Sequence, residues 1–446
     1  MTRRHGYVLL CAIVILIALV SAGLYVTVAG GDGRHGGTGA SPHDPAEPAS
    51  TAVWVGTWSA APTGTEPGTE TLGLAGRSVR NVVHTSVGGT SARITLSNLY
   101  GSTPLTITHA SLAVADGSGT AEAREDSMRR LTFGGAARVA VPAGGQVLSD
   151  PVRVTIPADS DVLVTTYSPT PSGPVTVHQQ ARQFSYVADG DHTESVSGEP
   201  YTGRVASWRY LTALDVLSHE ADGTVVVFGD SITDGAASTV GANRRWPDVL
   251  ADRLRIADLK EQDGGDGQRV PRYGVVNAGI SGNQLLADGL GRPAENPSGL
   301  SRFTRDALDR TSVKVVVVDL GVNDILRQPR LPDPGRVVAG LRTLVRQAHA
   351  RGVKVVGATL MPFGGRPGYT AAREDVRQRI NAEIRTGRVF DAVVDFDRAL
   401  RDPYDPRRLR AEYDSGDHLH PNDRGYRRMA DVFDLRLLTA GGWAAL

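Results

Sequence analysis

The apolar and polar positions of the chain follow four successive patterns. Behind Arg3 and Arg4, residues 7–29 are almost unbrokenly apolar. That is long enough for the roughly 20 helical residues a bilayer requires. In residues 30–52, Gly, Pro, Ser, His and Asp displace nearly every large apolar side chain, so the stretch cannot bury enough surface to fold and is expected to be a disordered linker. Between residues 53 and 217 short alternating runs take over, at 78–84, 92–96, 105–108, 138–141, 152–156 and 162–167, parted by Gly, Pro, Asp and Ser. Period-two runs broken by turn residues predict strands, and with no convincing helix among them the segment is expected to be an all-β sandwich of jelly-roll type.

After residue 217 the pattern becomes strand and helix in alternation. Strands are predicted at 225–228, 275–277, 313–319, 353–360 and 392–396, with amphipathic stretches at 243–256, 336–350, 371–385 and 423–437. Such alternation implies an α/β domain, residues 218–446, built on a five-stranded parallel sheet with helices on both faces. Ligands of such a sheet bind beyond the carboxyl ends of its strands. Residues 261–269, rich in Gly and Asp, read as a surface loop.

Charge and cysteine content narrow the setting. Lys+Arg and Asp+Glu both number 48, so the balance gives no reason to expect a nucleic-acid partner. The single cysteine, Cys11, falls in the first apolar run, which leaves the folded part without disulfides or thiolate chemistry. Leu9-Leu10-Cys11 lacks the small residues of a lipid-attachment site. The basic end should stay cytoplasmic, placing everything after Ala29 outside the cytoplasm. The small residues Val20-Ser21-Ala22 leave two outcomes open: a cleaved signal peptide and secretion, or a permanent membrane anchor formed by residues 7–29. His35 and His43 read as solvated linker residues.

The strand ends carry the chemistry. The run Val225-Val-Val-Phe-Gly-Asp-Ser-Ile-Thr-Asp-Gly235 ends a buried strand at Gly229, where glycine's backbone freedom would permit a tight turn and expose Ser231. Ser231 is a candidate nucleophile, or the start of an ordinary loop. The second strand is followed by Asn277-Ala-Gly-Ile-Ser-Gly282-Asn283 and the third by Gly321-Val-Asn323-Asp324. Asp417-His-Leu-His420-Pro421 precedes the last helix. Together, in this order over residues 224–438, the four segments resemble the signature blocks of the SGNH (GDSL-type) hydrolases. The serine is not in the Gly-x-Ser-x-Gly elbow of the α/β-hydrolases.

The resemblance implies a flavodoxin-like three-layer domain and a serine esterase that needs no cofactor. Ser231 would be the nucleophile, His420 the base, and Asp417 the carboxylate that orients it. The backbone N–H groups of Ser231 and Gly282 and the side-chain amide of Asn323 would form the oxyanion hole. Asp230, Asp234 and Asp324 are expected to organise loops through side-chain hydrogen bonds, with Asp230, Asp234 and Asn283 also candidate substrate contacts and Asp319 a strand-end residue without a catalytic part. Substrates would be small acyl esters, acetyl above all, carried on polysaccharides. The rivals are a lipase, lysophospholipase or arylesterase, an acyltransferase, and a surface carbohydrate-binding protein with an inactive hydrolase domain.

Several residues keep two readings. Trp54, Trp58, Tyr100 and Trp208 could offer stacking faces to a sugar, although large rings more often fill cores. His84 and His178 read as strand residues, yet a sandwich packed over an active site could lend either. His418 and His420 beside Asp414 and Asp417 could hold a metal, but the spacing suits an Asp-His pair better, with His418 turned away.

Overall fold

Five short runs, three of them dominated by valine, make the centre of the C-terminal half. They are β1 (Gly223–Gly229), β2 (Tyr273–Gly279), β3 (Val313–Asp319), β4 (Lys354–Ala358) and β5 (Ala392–Val394). All pair in parallel, in the order β2-β1-β3-β4-β5. Val225 to Phe228 and Val315 to Val317 are wholly inaccessible, as strands covered on both faces must be. Each such buried side chain contributes about 1.5–3 kcal/mol. The chain runs from β1 to one neighbour and then crosses to the other, so the sheet has its switch point at the carboxyl end of β1.

Four longer helical pieces surround this sheet. They are α2 (Trp246–Gln262), α3 (Pro334–His349), α4 (Ala371–Arg385) and α5 (Asp423–Val432), after a one-turn α1 at Ser231–Asp234. α2 packs on α5 and β2, while α3 packs on α4 and β4. The last helix is shorter than expected, because the chain leaves it at Phe433 and re-forms a tighter turn at Leu435–Leu438 capped by Asp434. β5 also stops early: Asp395 accepts the Arg398 N–H and starts the helix Phe396–Leu400 instead.

The computed structural model describes residues 52–262, 270–289, 296–327 and 331–439. The expected leader at 1–29, the linker up to 51 and most of the expected loop at 261–269 lie outside the described residues. Among the described residues no helix is long and apolar enough to cross a membrane.

The region before β1 is β-rich and antiparallel. One sheet runs Val53–Ser59, Leu211–Ser218, Gly89–Ser97, Val152–Ile156, with Gln146–Leu148 also on Gly89–Ser97. A second runs Gly203–Val205, Ser185–Asp189, Arg77–His84, Asp161–Ser168, His109–Val114, Arg129–Arg130. Val55, Ile94 and Leu214 of the first share a core with Val79, Leu112 and Val164 of the second. Trp58 and Trp208 meet edge to face at 4.9 Å inside that core, and Trp208 donates to the Val82 carbonyl at 2.7 Å. These two rings are core, not sugar platforms.

The strand Val53–Ser59 also lies along the parallel sheet. Gly56 N–H donates to Thr224 Oγ1 at 2.9 Å, Ser59 Oγ to the Asn277 carbonyl at 3.1 Å, and Val275 N–H to Ser86 Oγ at 2.9 Å. A Cβ on Gly274 would stand 2.1 Å from the Gly56 carbonyl, so backbone lies on backbone there. The exposed edge that β2 would otherwise present is thereby covered.

Candidate active site

The turn after β1 is set by its neighbours. Gly229 has no left-handed φ, so the expected reason for a glycine there is corrected: a Cβ would sit 2.6 Å from the Asp319 carbonyl and 2.3 Å from Thr233 Oγ1. Close approach of Thr233 in α1 and of the β3 backbone, not backbone freedom, requires it. Asp230 then caps α1, its Oδ1 accepting the Ile232 N–H at 3.0 Å. Ser231 is the first residue of α1, where an N–H has no intrahelical acceptor. Only 6% of the residue is exposed, so it lies at the floor of the site rather than on a solvent-facing turn.

Ser231 Oγ stands 2.8 Å from His420 Nε2, and His420 Nδ1 stands 2.5 Å from Asp417 Oδ2. The carboxylate can only accept, so Nδ1 carries the proton and Nε2 is free to accept from the serine. Asp417 Oδ1 also accepts the N–H groups of Leu419 and His420 at 3.0 and 2.8 Å. Burial alone would raise the Asp417 pKa, but these hydrogen bonds and the His420 ring hold it well below the usual carboxylate range. From floor to rim, exposure rises to 16% for the His420 side chain and 45% for that of Asp417.

His418 takes a left-handed φ of 62°, and its Nδ1 meets Asp414 Oδ2 at 2.6 Å, apart from the three residues above. Among the described residues no group of three or more His, Cys, Asp or Glu side chains could hold a metal ion.

Asn323, at the start of the helix Val322–Arg327 beyond β3, is oriented from both ends of its amide. Nδ2 donates to Asp230 Oδ2 at 3.2 Å, and Oδ1 accepts from Arg327 Nε at 3.0 Å. Asp324 receives the N–H groups of Leu285 and Leu286 at 2.7 and 2.9 Å, tying the loop after β2 to β3. In that loop Gly282 has a φ of 77°, which a residue with a Cβ takes only under strain. Burial raises the carboxyl groups of Asp230 and Asp324 to about 6. Burial, then the nearby Asp230, push Asp319 well above its ordinary value, and Thr233 Oγ1 is 3.5 Å away.

The three candidate substrate contacts face inward. Asp230 is spent on the cap and on Asn323. Asp234 gives one oxygen to His178 Nε2 at 3.0 Å and the other to Ser281 N–H and Oγ at 2.9 and 2.5 Å. Asn283 donates to the Pro297 carbonyl at 2.7 Å and accepts from Arg302 Nε at 2.9 Å. All three are almost fully buried, which leaves them framing the site rather than meeting a ligand.

One residue that frames the site was missed in the sequence. Arg302, fully buried, donates to the carbonyls of Gly229 and Ala278, both at 2.8 Å, pinning the ends of β1 and β2, and lies over the Phe228 ring. An arginine in a short helix carries no signal for that. His178, one of the two strand histidines that the β-rich region could lend to a site, reaches it through Asp234.

Residues 227–428 match the model of the GDSL-like lipase/acylhydrolase family. No curated protein matches the chain. Among solved structures, a family two carbohydrate esterase from Clostridium thermocellum is 15% identical, aligned over 82% of this chain and 93% of its own, with a TM-score of 0.34. A GDSL-like lipase from Bacteroides thetaiotaomicron is 19% identical over 47% and 84%, TM-score 0.31. An acetyl xylan esterase is 18% identical over 47% and 96%, TM-score 0.33.

Proposed function

Because residues 227–428 form a GDSL-like lipase/acylhydrolase domain, and the protein is therefore a serine hydrolase of esters, we propose that Ser231, His420 and Asp417 are its catalytic triad. The observation that carries this is the continuous hydrogen-bonded line from Ser231 Oγ through His420 to Asp417. In this reading the ester carbonyl lies over Ser231. Its Oγ forms the new C–O bond as the hydroxyl proton passes to His420 Nε2.

Negative charge then gathers on the former carbonyl oxygen. The Ser231 and Gly282 N–H groups and the Asn323 amide answer it, acting most strongly on the transition state. Collapse breaks the bond to the alcohol, which takes the proton back from Nε2. Water, deprotonated by the same nitrogen, releases the acid from Ser231. Asp417 keeps the imidazole in its Nδ1–H tautomer and steadies the imidazolium, without taking the proton itself.

The proposed substrates are small acyl esters, acetyl groups on polysaccharides among them. Export by the apolar segment 7–29 would bring the enzyme to such polymers, and fractionation of cells expressing the full chain tests that location. The nucleophile is tested by covalent labelling with a fluorophosphonate followed by peptide mass mapping. The adduct is expected on Ser231, and a labelled site elsewhere would overturn the assignment.

A further inference from the structure

His178 ends the strand Thr176–His178 of the β-rich region, 56 positions before Asp234 in the chain, and is 4% exposed. Its Nδ1 is 2.7 Å from the Ala61 carbonyl oxygen and its Nε2 is 3.0 Å from Asp234 Oδ1. The Ala61 carbonyl can only accept, so Nδ1 carries a hydrogen; with Asp234 ionised, Nε2 carries one as well and the ring is an imidazolium. Trp208 covers it at 5.4 Å. Burial opposes the charge, but Asp234, and then the Ala61 carbonyl, raise the His178 pKa above its ordinary value.

The line continues through Asp234. Its second oxygen holds both the N–H and the hydroxyl of Ser281, the residue before Gly282. Asp234 also closes α1, three residues after the nucleophile. One buried carboxylate thus spans the serine turn and the turn that presents Gly282, and one buried imidazolium holds that carboxylate still. A buried ion pair is weak evidence for stability, because desolvation offsets most of its attraction. Positioning is the better account of it.

We infer that His178 is a positioning residue of the active site, contributed by the β-rich region: it fixes Asp234 and, through Ser281, the distance between Ser231 and the Gly282 N–H. This rests on the reading of Gly282 as an oxyanion donor. The β-rich region is then part of the catalytic frame and not only an appended module.

The test uses the full chain with p-nitrophenyl acetate, comparing wild type, Ser231→Ala, His178→Phe, His178→Gln, Asp234→Ala and the His178→Phe/Asp234→Ala double variant, with rates expressed per folded molecule. A misplacement of about 1 Å costs about 10²-fold. His178→Phe and Asp234→Ala should therefore each lower kcat about 10- to 100-fold, with KM within about 3-fold. The double variant should be no slower than Asp234→Ala, since the histidine acts through the carboxylate. His178→Gln, which can still donate to Asp234, should recover part of the loss, and it carries the test if the phenylalanine variant does not fold.

An unchanged kcat with only a lowered Tm would reduce His178 to a structural residue and overturn the inference, as would multiplicative losses in the double variant. An inactive wild type, or an active Ser231→Ala, would instead overturn the triad reading, and this inference with it.

Discussion

Ser231 Oγ is within hydrogen-bond reach of His420 Nε2, so in the proposed triad losses should follow what each residue does in proton transfer. Ser231→Ala and His420→Ala should each lower kcat by about 10⁶, and Asp417→Asn by about 10⁴, because the carboxylate orients the base without handling the proton. Equal losses from all three in folded protein would contradict that order. Asn323→Ala should cost about 10²–10³ in kcat with little change in KM. Arg327→Met should cost less, by freeing the amide to turn its oxygen toward the substrate; steady-state kinetics of both variants checks this. The residue types and spacing of Ser231, Asn323, Asp417 and His420 were legible in the sequence because each sits at a strand end or in a short loop, where local order fixes position. The loop-organising part of Asp230 and Asp234 was legible as well, since turn aspartates commonly bond nearby backbone, but the distant partners His178 of Asp234 and Arg302 of Asn283 were not, because no local spacing points to them.

At the scale of elements, the strand ends are held as a set. Arg302 joins β1, β2 and the loop at Asn283, and it pairs with Asp306 at 3.2 Å. Removing one member of a buried ionic cluster costs about 3–5 kcal/mol. Arg302→Leu should therefore lower unfolding free energy by about that amount in urea titration. A loss within the ±0.5 kcal/mol usual for surface changes would contradict the keystone role. The parallel strands and α4 could be read from apolar period and length alone. The strand Val53–Ser59 could not, because its neighbours are Leu211–Ser218 and the edge of β2, both far away in sequence. Trp58, one of its residues, fills the core as large rings more often do, against Trp208 from a distant strand.

Across the whole molecule, the buried carboxyls make stability depend on pH in a definite direction. Asp230 and Asp324 bind protons at about 6 when folded, well above the roughly 3.9 of an unfolded aspartate. Between these values the folded state holds more protons, so stability falls as pH rises through that window. His178, raised by Asp234, adds in the same sense: its contribution is complete below the unfolded histidine pKa and is lost as pH climbs through the folded one. The depressed Asp417 contributes throughout this range and loses its effect only at lower pH. Calorimetry should thus give a higher Tm at pH 5.5 than at pH 8; the reverse order would mean that these carboxyls are not buried as described. Hydrolysis of small esters through Ser231 is tested by the rate of p-nitrophenyl ester cleavage against acyl length, for the full chain beside Ser231→Ala. Cleavage that peaks at acetate and vanishes in the variant is the predicted result. A peak at long acyl chains would contradict the substrate, and cleavage that survives Ser231→Ala, or no cleavage at any length, would contradict the site.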